Sequence, residues 1–432
     1  MCKGDAAAVL KTQKAGVISH AELATHNVPT DNWVAIDGQV YDISEYIRDD
    51  HPGGRYLPLQ ISGKDASCLF KSTHPKYVGQ LLTRNPKIIH KGALAAPLTQ
   101  FKYESEFYDV LQERVALYFK NNGLKRNYHK WGNVDNFVKV FLMATLWLLG
   151  WYFAAGWVFI LAQSVVTQLF CFSVMHTNNH GGLTSDNRSR WYWDCIVDTC
   201  GGVSTIAWRH LHNICHHFCT NMHEHDSDIQ NTPWFRFSVS QPRMWWHKYQ
   251  HLYASVLMCL FPAVKMEFKH TYIAATLPNV DPADRLRWLC AKVFYWTMFI
   301  VLPAHWHGWQ FALSAAYVRY VICSFMYTHV IAPTHVNEHC QHVTERDWFK
   351  HQVYTSSDSA PGGVVSNWFT AGLNHQIEHH LFPMIHHLHY PGLQPIIAKT
   401  IKEYNLPYNV QTDLFTAVGA YWHWLYKVGN AD

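Results

Sequence analysis

The chain has 432 residues, of which 49% are hydrophobic and 15% aromatic, which is more apolar than a soluble domain of this size usually needs. Its 31 histidines equal the number of Asp and Glu residues together, and its mild net charge of +4 gives no support for nucleic acid binding. The 11 cysteines lack paired CxxC spacings, so we expect reduced packing residues rather than disulfides.

An amino-terminal stretch, DNWVAIDGQVYDISEYIRDDHPGG at residues 31–54, combines a strand pattern with a glycine turn. Apolar residues alternate on both sides of an Asp-Gly pair, which predicts a β-hairpin. His51 opens the HPGG turn, and His74 follows 23 positions later at the end of a predicted helix. The stretch resembles cytochrome b5 over about residues 15–95. This resemblance implies that His51 and His74 bind heme b from its two faces, so the iron carries electrons but does not bind oxygen.

Membrane-spanning segments are predicted in the middle of the chain. Residues 140–175 contain no Asp, Glu, Lys, Arg or His. Because one crossing needs about 20 residues, this stretch predicts a helical hairpin that turns near Gly156. A weaker pair is predicted at residues 286–304 and 309–332. Three basic residues in that pair leave a buried soluble hairpin as the alternative.

Four spans would place the histidine-rich segments on one side of the membrane. The loops inside the hairpins carry no Lys or Arg, whereas residues 1–139 and 182–289 carry many, which predicts that both lie in the cytosol. Residues 252–264 are too short to cross and favour an interfacial or re-entrant helix. The amino terminus has no apolar run typical of a secretory signal. The predicted fold is therefore a small α+β heme-binding domain followed by an all-α integral membrane domain with four transmembrane helices and a cytosolic helical cap.

Histidines cluster at four places that flank the predicted spans. Several are four residues apart, and a helix presents such residues on one face. Neutral imidazoles suit iron, copper or zinc, and seven or eight of them exceed the three or four ligands that one zinc needs. Two metal ions are the simplest explanation. The candidates are His176 and His180; His212, His216 and His217; His379 and His380, with Gln376 nearby; and His335 or, as the less secure alternative, His339.

The complete pattern resembles front-end fatty acyl desaturases, a membrane-bound diiron family with a cytochrome b5 domain fused at the amino terminus. The marks are three histidine boxes, the last of which begins with a glutamine, here Gln376 in QIEHH. The resemblance runs from about residue 15 to 410. In HTNNH, Thr177 stands where the family commonly has an acid. A carboxylate is therefore not present at this position to orient the ring of His176. The expected divisions are residues 15–95, the heme domain; 96–135, a linker and amphipathic helix; 136–410, the desaturase domain; and 411–432, a carboxyl-terminal tail.

The resemblance implies a redox reaction on a lipid acyl chain. Electrons derived from NADH would pass through cytochrome b5 reductase to the heme and then to two iron ions, which activate O2. The metal ligands implied are His176, His180, His212, His216, His217, His335, His379 and His380, with Gln376 as a further catalytic residue. The substrate would be an acyl-lipid or an acyl-CoA in the bilayer. The endoplasmic reticulum, with heme and metal sites facing the cytosol, is the expected location. His386, His387 and His389 follow Pro383 and are expected outside the metal shell.

Three other functions are compatible with parts of this pattern. A sphingolipid long-chain-base Δ8 desaturase would have the same architecture and boxes. A hydroxylase or acetylenase would keep the metal and change the product. A membrane-tethered cytochrome b5-type electron-transfer protein would explain the heme site, but it needs only one span and no histidine clusters. The resemblance therefore favours a front-end desaturase that adds a cis double bond on the carboxyl side of an existing one (Δ4, Δ5, Δ6 or Δ8).

Overall fold

A computed structural model describes residues 16–49, 51–52, 54–74, 76–95, 101–223, 225–230, 233–340 and 345–431. The chain forms two compact units, Met1–Gln100 and Phe101–Asp432.

The amino-terminal unit is built on a five-stranded sheet with the order β1-β5-β4-β3-β2. Its strands are β1 (Gly16–Ile18), β2 (Asn27–Val28), β3 (Asp31–Ile36), β4 (Gln39–Asp42) and β5 (Ile89–Leu94). Its helices are α1 (His20–Thr25), α2 (Ser44–Asp49), α3 (Tyr56–Gln60), α4 (Ser67–Thr73) and α5 (Leu81–Arg84), with a 3-10 turn at Lys76–Gln80.

The predicted hairpin is formed by β3 and β4, which pair antiparallel with Ile36 opposite Gln39. Asp37 and Gly38 join them with φ of 51° and 71°, the left-handed pair that a two-residue hairpin turn requires. Strand β1 pairs parallel with β5. The hairpin and the helices around the sheet confirm a small α/β domain at this end of the chain.

The second unit is helical. Its helices are α6 (Glu106–Asn121), α7 (Lys130–Trp147), α8 (Trp157–Phe170), α9 (His176–Asn179), α10 (Asn187–Ile196), α11 (Thr205–Trp208), α12 (Gln250–Val264), α13 (Thr271–Thr276), α14 (Pro282–Trp296), α15 (Leu302–His307), α16 (Trp309–His335), α17 (Trp348–Tyr354), α18 (Val364–Thr370), α19 (Gln376–Leu381), α20 (Tyr390–Glu403) and α21 (Leu414–Asn430). Short strands β6 (Asp358–Ser359) and β7 (Val410–Gln411) pair parallel.

Several helices are continued by wider π-helical turns. Two of these turns, Cys171–Met175 and Arg209–His216, lead directly into the histidine boxes. A π turn inserts an extra residue into the helical register and often marks a functional site. The others are Leu148–Tyr152, Val197–Gly201, Lys265–His270 and Thr297–Val301, and 3-10 turns occur at Trp245–Tyr249 and His387–His389.

Three continuous helical segments in the described residues are long and apolar enough to cross a membrane: Lys130–Tyr152, Trp157–Asn179 and Pro282–His307. The first two form the predicted hairpin, with its turn at residues 153–156. Helix α16, the fourth expected span, has 27 residues but is not among these three. The predicted count of four spans is therefore not confirmed.

The segment expected to be a carboxyl-terminal tail contains the 17-residue helix α21. One face of this helix is buried through Tyr421, Leu425 and Val428, each fully shielded from solvent, in a cluster with Phe235 and Ala254. This helix belongs to the core of the second unit.

Candidate metal centre

The candidate histidines converge in the interior of the helical unit from four separate elements. His176 and His180 lie at α9, and His212, His216 and His217 lie along the π turn after α11. The last residue of α16 is His335, and α19 carries His379 and His380. These eight side chains and Gln376 are at most 7% exposed.

The first group comprises His176, His180, His212 and His379. Each offers a ring nitrogen, and the four nitrogens lie within 4.8 Å of one another. The ring centroids of His176 and His379 are 4.4 Å apart, and those of His180 and His379 are 4.7 Å apart. This arrangement is compact enough for one ion to contact all four rings.

The second group comprises His216, His335 and His380, whose ring nitrogens also lie within 4.8 Å of one another. The Nε2 atoms of His335 and His380 are 3.1 Å apart. The amide nitrogen of Gln376 lies 2.8 Å from Nε2 of His335, so this glutamine borders the group.

His217 lies between the two groups. Its Nε2 is 3.1 Å from Nε2 of His212 and 3.1 Å from Nε2 of His379, and its ring stacks on His380 at 4.2 Å. One imidazole thus contacts members of both groups.

The donor atoms fit metal ions. Two imidazole nitrogens that bind one ion at about 2.1 Å, at right angles to each other, are about 3 Å apart, and the Nε2 pairs of the cluster have this separation. Among the described residues, Nε2 of His176 and of His180 is buried with no hydrogen-bond partner. Because a buried unpaired polar atom costs about 1–3 kcal/mol, a metal ligated there would remove that cost. Nitrogen donors favour iron, copper or zinc over magnesium or calcium.

The outward-facing Nδ1 atoms of four of these histidines are held by oxygen atoms. Such contacts orient each ring so that Nε2 points to the metal and raise the basicity of the ligand. The pairs are His216 with Asp226 (3.0 Å), His335 with the carbonyl of Thr355 (2.9 Å), His380 with Oε1 of Gln352 (2.8 Å) and His379 with the hydroxyl of Tyr390 (3.2 Å).

Burial keeps the cluster neutral. It lowers the pKa of His212 to about 4 and the pKa of His217, His379 and His380 well below the usual value, with neighbouring imidazoles adding to the effect on these three. Near pH 7 these rings are unprotonated, which is the form that ligates metals.

The residue that replaces the expected acid of the first box has its own contact. The hydroxyl of Thr177 lies 2.9 Å from Nδ1 of His387 and so connects the first box to the segment after the third. The neighbouring Asn178 donates to Asp194, which also accepts from Arg209. In place of an acid after His176, this chain has a hydroxyl and a buried Asp–Arg pair.

One cavity adjoins the second group, and a smaller one shares two of its lining residues. The first, of about 100 Å³, is bordered by His212, His216 and His335 and is otherwise mostly apolar. The second, of about 30 Å³, extends to Arg319. Met266 and Tyr327 line both. Largely apolar space thus lies beside the histidines in the helical unit.

The amino-terminal unit brings its own two predicted ligands together. The ring centroids of His51 and His74 are 5.9 Å apart. Nδ1 of His51 lies 2.7 Å from the carbonyl of Gly54, and Nδ1 of His74 lies 3.0 Å from that of Phe70. With Nδ1 held in this way, Nε2 is the ligating nitrogen, and the separation suits one iron between the rings.

The fold and both sites define a membrane-type metalloprotein with a cytochrome b5-like unit. Residues 19–95 match the family model "Cytochrome b5-like Heme/Steroid binding domain", and residues 149–412 match "Fatty acid desaturase". The chain therefore belongs to the fatty acid desaturase family and is an oxidoreductase. The resemblance to front-end desaturases is confirmed.

Similar proteins support this assignment. The chain is 31% identical to "Acyl-lipid (8-3)-desaturase" of Physcomitrium patens, over 95% of this chain and 91% of that protein. It is 30% identical to "Delta(5) fatty acid desaturase A" of Dictyostelium discoideum, over 95% and 94% of the two chains. It is 32% identical to "sn-1 linoleoyl-lipid 6-desaturase" of Arthrospira platensis, over 60% and 73%.

The structure distinguishes between His335 and His339, which sequence spacing left as alternatives. His335 is buried in the second group, whereas His339 is exposed. Gln352 and Tyr390, which hold Nδ1 atoms of the third box, were not predicted. They lie in α17 and at the start of α20 without any ligand-like spacing, and only the tertiary fold brings them to the histidines. His386, His387 and His389 are not members of either metal group.

Proposed function

We propose that this chain is a front-end acyl-lipid desaturase whose reaction centre is a pair of iron ions held by the buried histidines. The observation that carries the proposal is the presence of two imidazole groups, His176–His180–His212–His379 and His216–His335–His380, joined by His217. Two groups could hold two metal ions. Desaturation needs an oxidant stronger than any side chain, and metal ions would provide it.

When bound, the two irons would supply O2 activation and removal of two hydrogens from adjacent methylenes. The protein would hold the ions through neutral nitrogen ligands and keep those ligands oriented through Asp226, Gln352, Thr355 and Tyr390. The side chain of Gln376 would border the second ion from the position where it contacts His335. Its Oε1 is buried with no hydrogen-bond partner among the described residues, so it is available to a ligand or to water at the ion.

The apolar cavity beside His212, His216 and His335 would receive the acyl chain. Its continuation past Met266 and Tyr327 would accommodate the methyl end, and the buried polar layer that includes Arg319 would limit the depth. Fixing the depth of the chain relative to the metals is how such a site would select the bond position.

The heme unit would deliver the electrons. His51 and His74 would hold a heme b, which would pass electrons without reacting with O2. We infer that NADH-derived electrons reach it through cytochrome b5 reductase. The proposed divisions are residues 15–95 for this carrier, 96–135 for the connection, 136–410 for the desaturase domain and 411–432 for the carboxyl-terminal segment.

We also propose four membrane spans, with α16 as the fourth. This helix is long enough to cross, and its charged residue Arg319 is only 2% exposed. Leu313 and Phe325 on its surface are more than half exposed. The charged residue of α16 is thus buried inside the protein, whereas apolar side chains lie on its exposed surface. With four spans, heme and metal sites lie on the cytosolic side, and the endoplasmic reticulum is the proposed location.

Two alternatives are less well supported. The names of the relatives above describe fatty acids or acyl-lipids, which favours these substrates over a sphingoid base. An electron-transfer tether would have no use for seven buried metal-binding imidazoles in two groups.

Reconstituted holoenzyme tests the proposal directly. Full-length protein in lipid nanodiscs is supplied with cytochrome b5 reductase, NADH and O2, and with a labelled polyunsaturated acyl chain either in phosphatidylcholine or as a CoA thioester. We expect two non-heme irons per chain and turnover of the phospholipid. Turnover of the thioester alone would contradict the acyl-lipid substrate, and full activity without non-heme iron would contradict the centre.

A further inference from the structure

The histidines after the third box lie against the segment that precedes the first membrane span. Nε2 of His389 is 3.1 Å from the backbone carbonyls of both Lys125 and Tyr128. The backbone nitrogen of His386 donates to the carbonyl of Arg126 at 2.8 Å. These contacts hold residues 125–128 in a defined shape, which an unbraced surface loop would not have.

This braced segment forms one wall of an open cavity of about 450 Å³. Lys125 and Lys130 line it together with the rings of His129 and His389. The rest of the lining is Gly123, Leu124, Tyr128 and Trp131, so the wall contains no carboxylate.

The charge of the cavity is not neutralised by the protein. Residues 114–134 contain five Lys or Arg and no Asp or Glu. Lys125 and Lys130 are exposed, and in the described ranges neither forms an ion pair. Nδ1 of His129 is buried and has no hydrogen-bond partner among the described residues. Two ammonium groups are therefore available to an anion, next to the uncharged ring of His129.

The cavity lies where the chain enters the membrane, because the span Lys130–Tyr152 begins at its rim. Trp131 is 66% exposed and Tyr128 is 48% exposed. Exposed Trp and Tyr at the end of a span are typical of the level of the lipid headgroups. Basic residues at that level attract anionic lipids, each contributing about 1 kcal/mol.

We propose that the cavity formed by residues 123–131 and His389 binds the phosphate group of a membrane phospholipid. The ammonium groups of Lys125 and Lys130 would donate to the phosphate oxygens, and the rings of Tyr128 and Trp131 would lie beside the glycerol and upper acyl chains. This site is distinct from the metal centre, and the inference does not depend on which lipid is desaturated.

The same histidine run connects the cavity with the metal centre. The rings of His389 and His386 are 6.3 Å apart, and those of His386 and His387 are 4.5 Å apart. His387 in turn contacts Thr177, the neighbour of the proposed ligand His176. Gly132 permits this packing, because a Cβ there would lie 2.6 Å from the ring of His386.

Binding of soluble short-chain lipids to the full-length holoenzyme in detergent tests the proposal, with native mass spectrometry as the readout. The probes are dihexanoyl phosphatidic acid, inorganic phosphate and free coenzyme A. We expect the lipid to bind at least tenfold more tightly than either soluble phosphate compound. Loss of two lysine contacts in Lys125→Gln/Lys130→Gln is expected to weaken lipid binding by roughly thirtyfold at low salt.

Two further variants separate a specific site from general attraction. Lys125→Arg/Lys130→Arg keeps the charges and should retain binding. Lys399→Gln/Lys402→Gln removes two exposed lysines near the far end of α20 and should leave binding unchanged, and heme absorbance and iron content establish that each variant is folded. Unchanged lipid binding by the Lys125→Gln/Lys130→Gln variant would overturn the proposal, as would an equal loss in the α20 variant. Equally tight coenzyme A or phosphate binding would overturn the phospholipid assignment.

Discussion

Asp226 illustrates how one buried carboxylate organises the histidine cluster. Its oxygens accept from Nδ1 of His216 at 3.0 and 3.1 Å and from the backbone nitrogens of Asn221 and Asp228 at 2.8 Å. It is fully buried, so no water replaces these contacts. The carboxylate fixes both the ring of His216 and the turn that follows the second box.

Asp226→Asn is therefore expected to lower iron affinity or activity by about 10- to 100-fold, because an amide orients His216 less strongly than a carboxylate does. Non-heme iron content and turnover are measured on purified protein. Glu338→Gln is the control, since Glu338 is exposed and pairs with Lys427 at the surface. Equal iron content and turnover in Asp226→Asn and wild type would refute the role given to this carboxylate.

His335 and His339 provide a test of the ligand assignment within one helical turn. His335 is buried beside His380, whereas His339 is exposed and outside both groups. We expect His335→Ala to lose non-heme iron and at least 99% of activity, and His339→Ala to keep both. Iron analysis and turnover are the measurements, and the reverse pattern would make His339 the ligand in place of His335.

At this scale the sequence predicted which residues belong to the candidate site better than it predicted their contacts. The i, i+4 spacings and the QIEHH box reflect helix geometry and led to the buried histidines of both groups, but the same spacing also included the exposed His339. The partners Gln352, Thr355 and Tyr390 come from other elements, and no local spacing predicts such long-range contacts. His386, His387 and His389 were expected outside the metal shell, and the rings of His386 and His389 lie against residues 125–132.

At the scale of elements, α16 links the membrane region to the metal centre. It carries Tyr327 on the wall of the cavities and ends at His335. Met266 lies opposite, in the π turn Lys265–His270. Under the proposed function, a longer acyl chain would extend past these two side chains.

Met266→Trp is expected to shift the preference toward shorter acyl chains, because the indole would fill the cavity space that Met266 lines. Loss of the space for one methylene changes the free energy that discriminates the two substrates by about 1–3 kcal/mol. The ratio of C20 to C18 products should therefore fall at least tenfold. Competition between C18 and C20 substrates, analysed by gas chromatography, measures this ratio. Met266→Leu, of similar volume, is the matched control, and an unchanged ratio in Met266→Trp would place the methyl end elsewhere.

Element types were easier to predict than their exact boundaries and environment. The charge-free run at residues 140–175 correctly predicted a helical hairpin, because length and apolarity determine that outcome. The π turns were not predicted, since an extra residue per turn leaves no compositional signal. A packed helix at residues 414–430 was not predicted either, because the many aromatic residues there suit a lipid interface as well as a core.

At the scale of the whole molecule, the histidines proposed to hold heme and those proposed to hold non-heme iron lie in separate compact units. His74→Ala should abolish the heme absorbance and lower turnover supported by NADH at least 100-fold, while the two non-heme irons remain. Absorbance spectra and iron analysis follow the two sites independently. His90→Ala, an exposed histidine on β5 that contacts Gln39, should change neither. Loss of non-heme iron in His74→Ala would contradict the independence of the sites.

The position of the new double bond is the most direct test of the complete account. The full-length chain is expressed in a yeast that makes no polyunsaturated acids, unsaturated C18 and C20 acids are fed separately, and product bonds are located by gas chromatography and mass spectrometry. We predict a new cis bond between an existing double bond and the carboxyl group, and no product from His379→Ala. A bond on the methyl side of the existing one, or conversion of sphingoid bases alone, would contradict the front-end assignment.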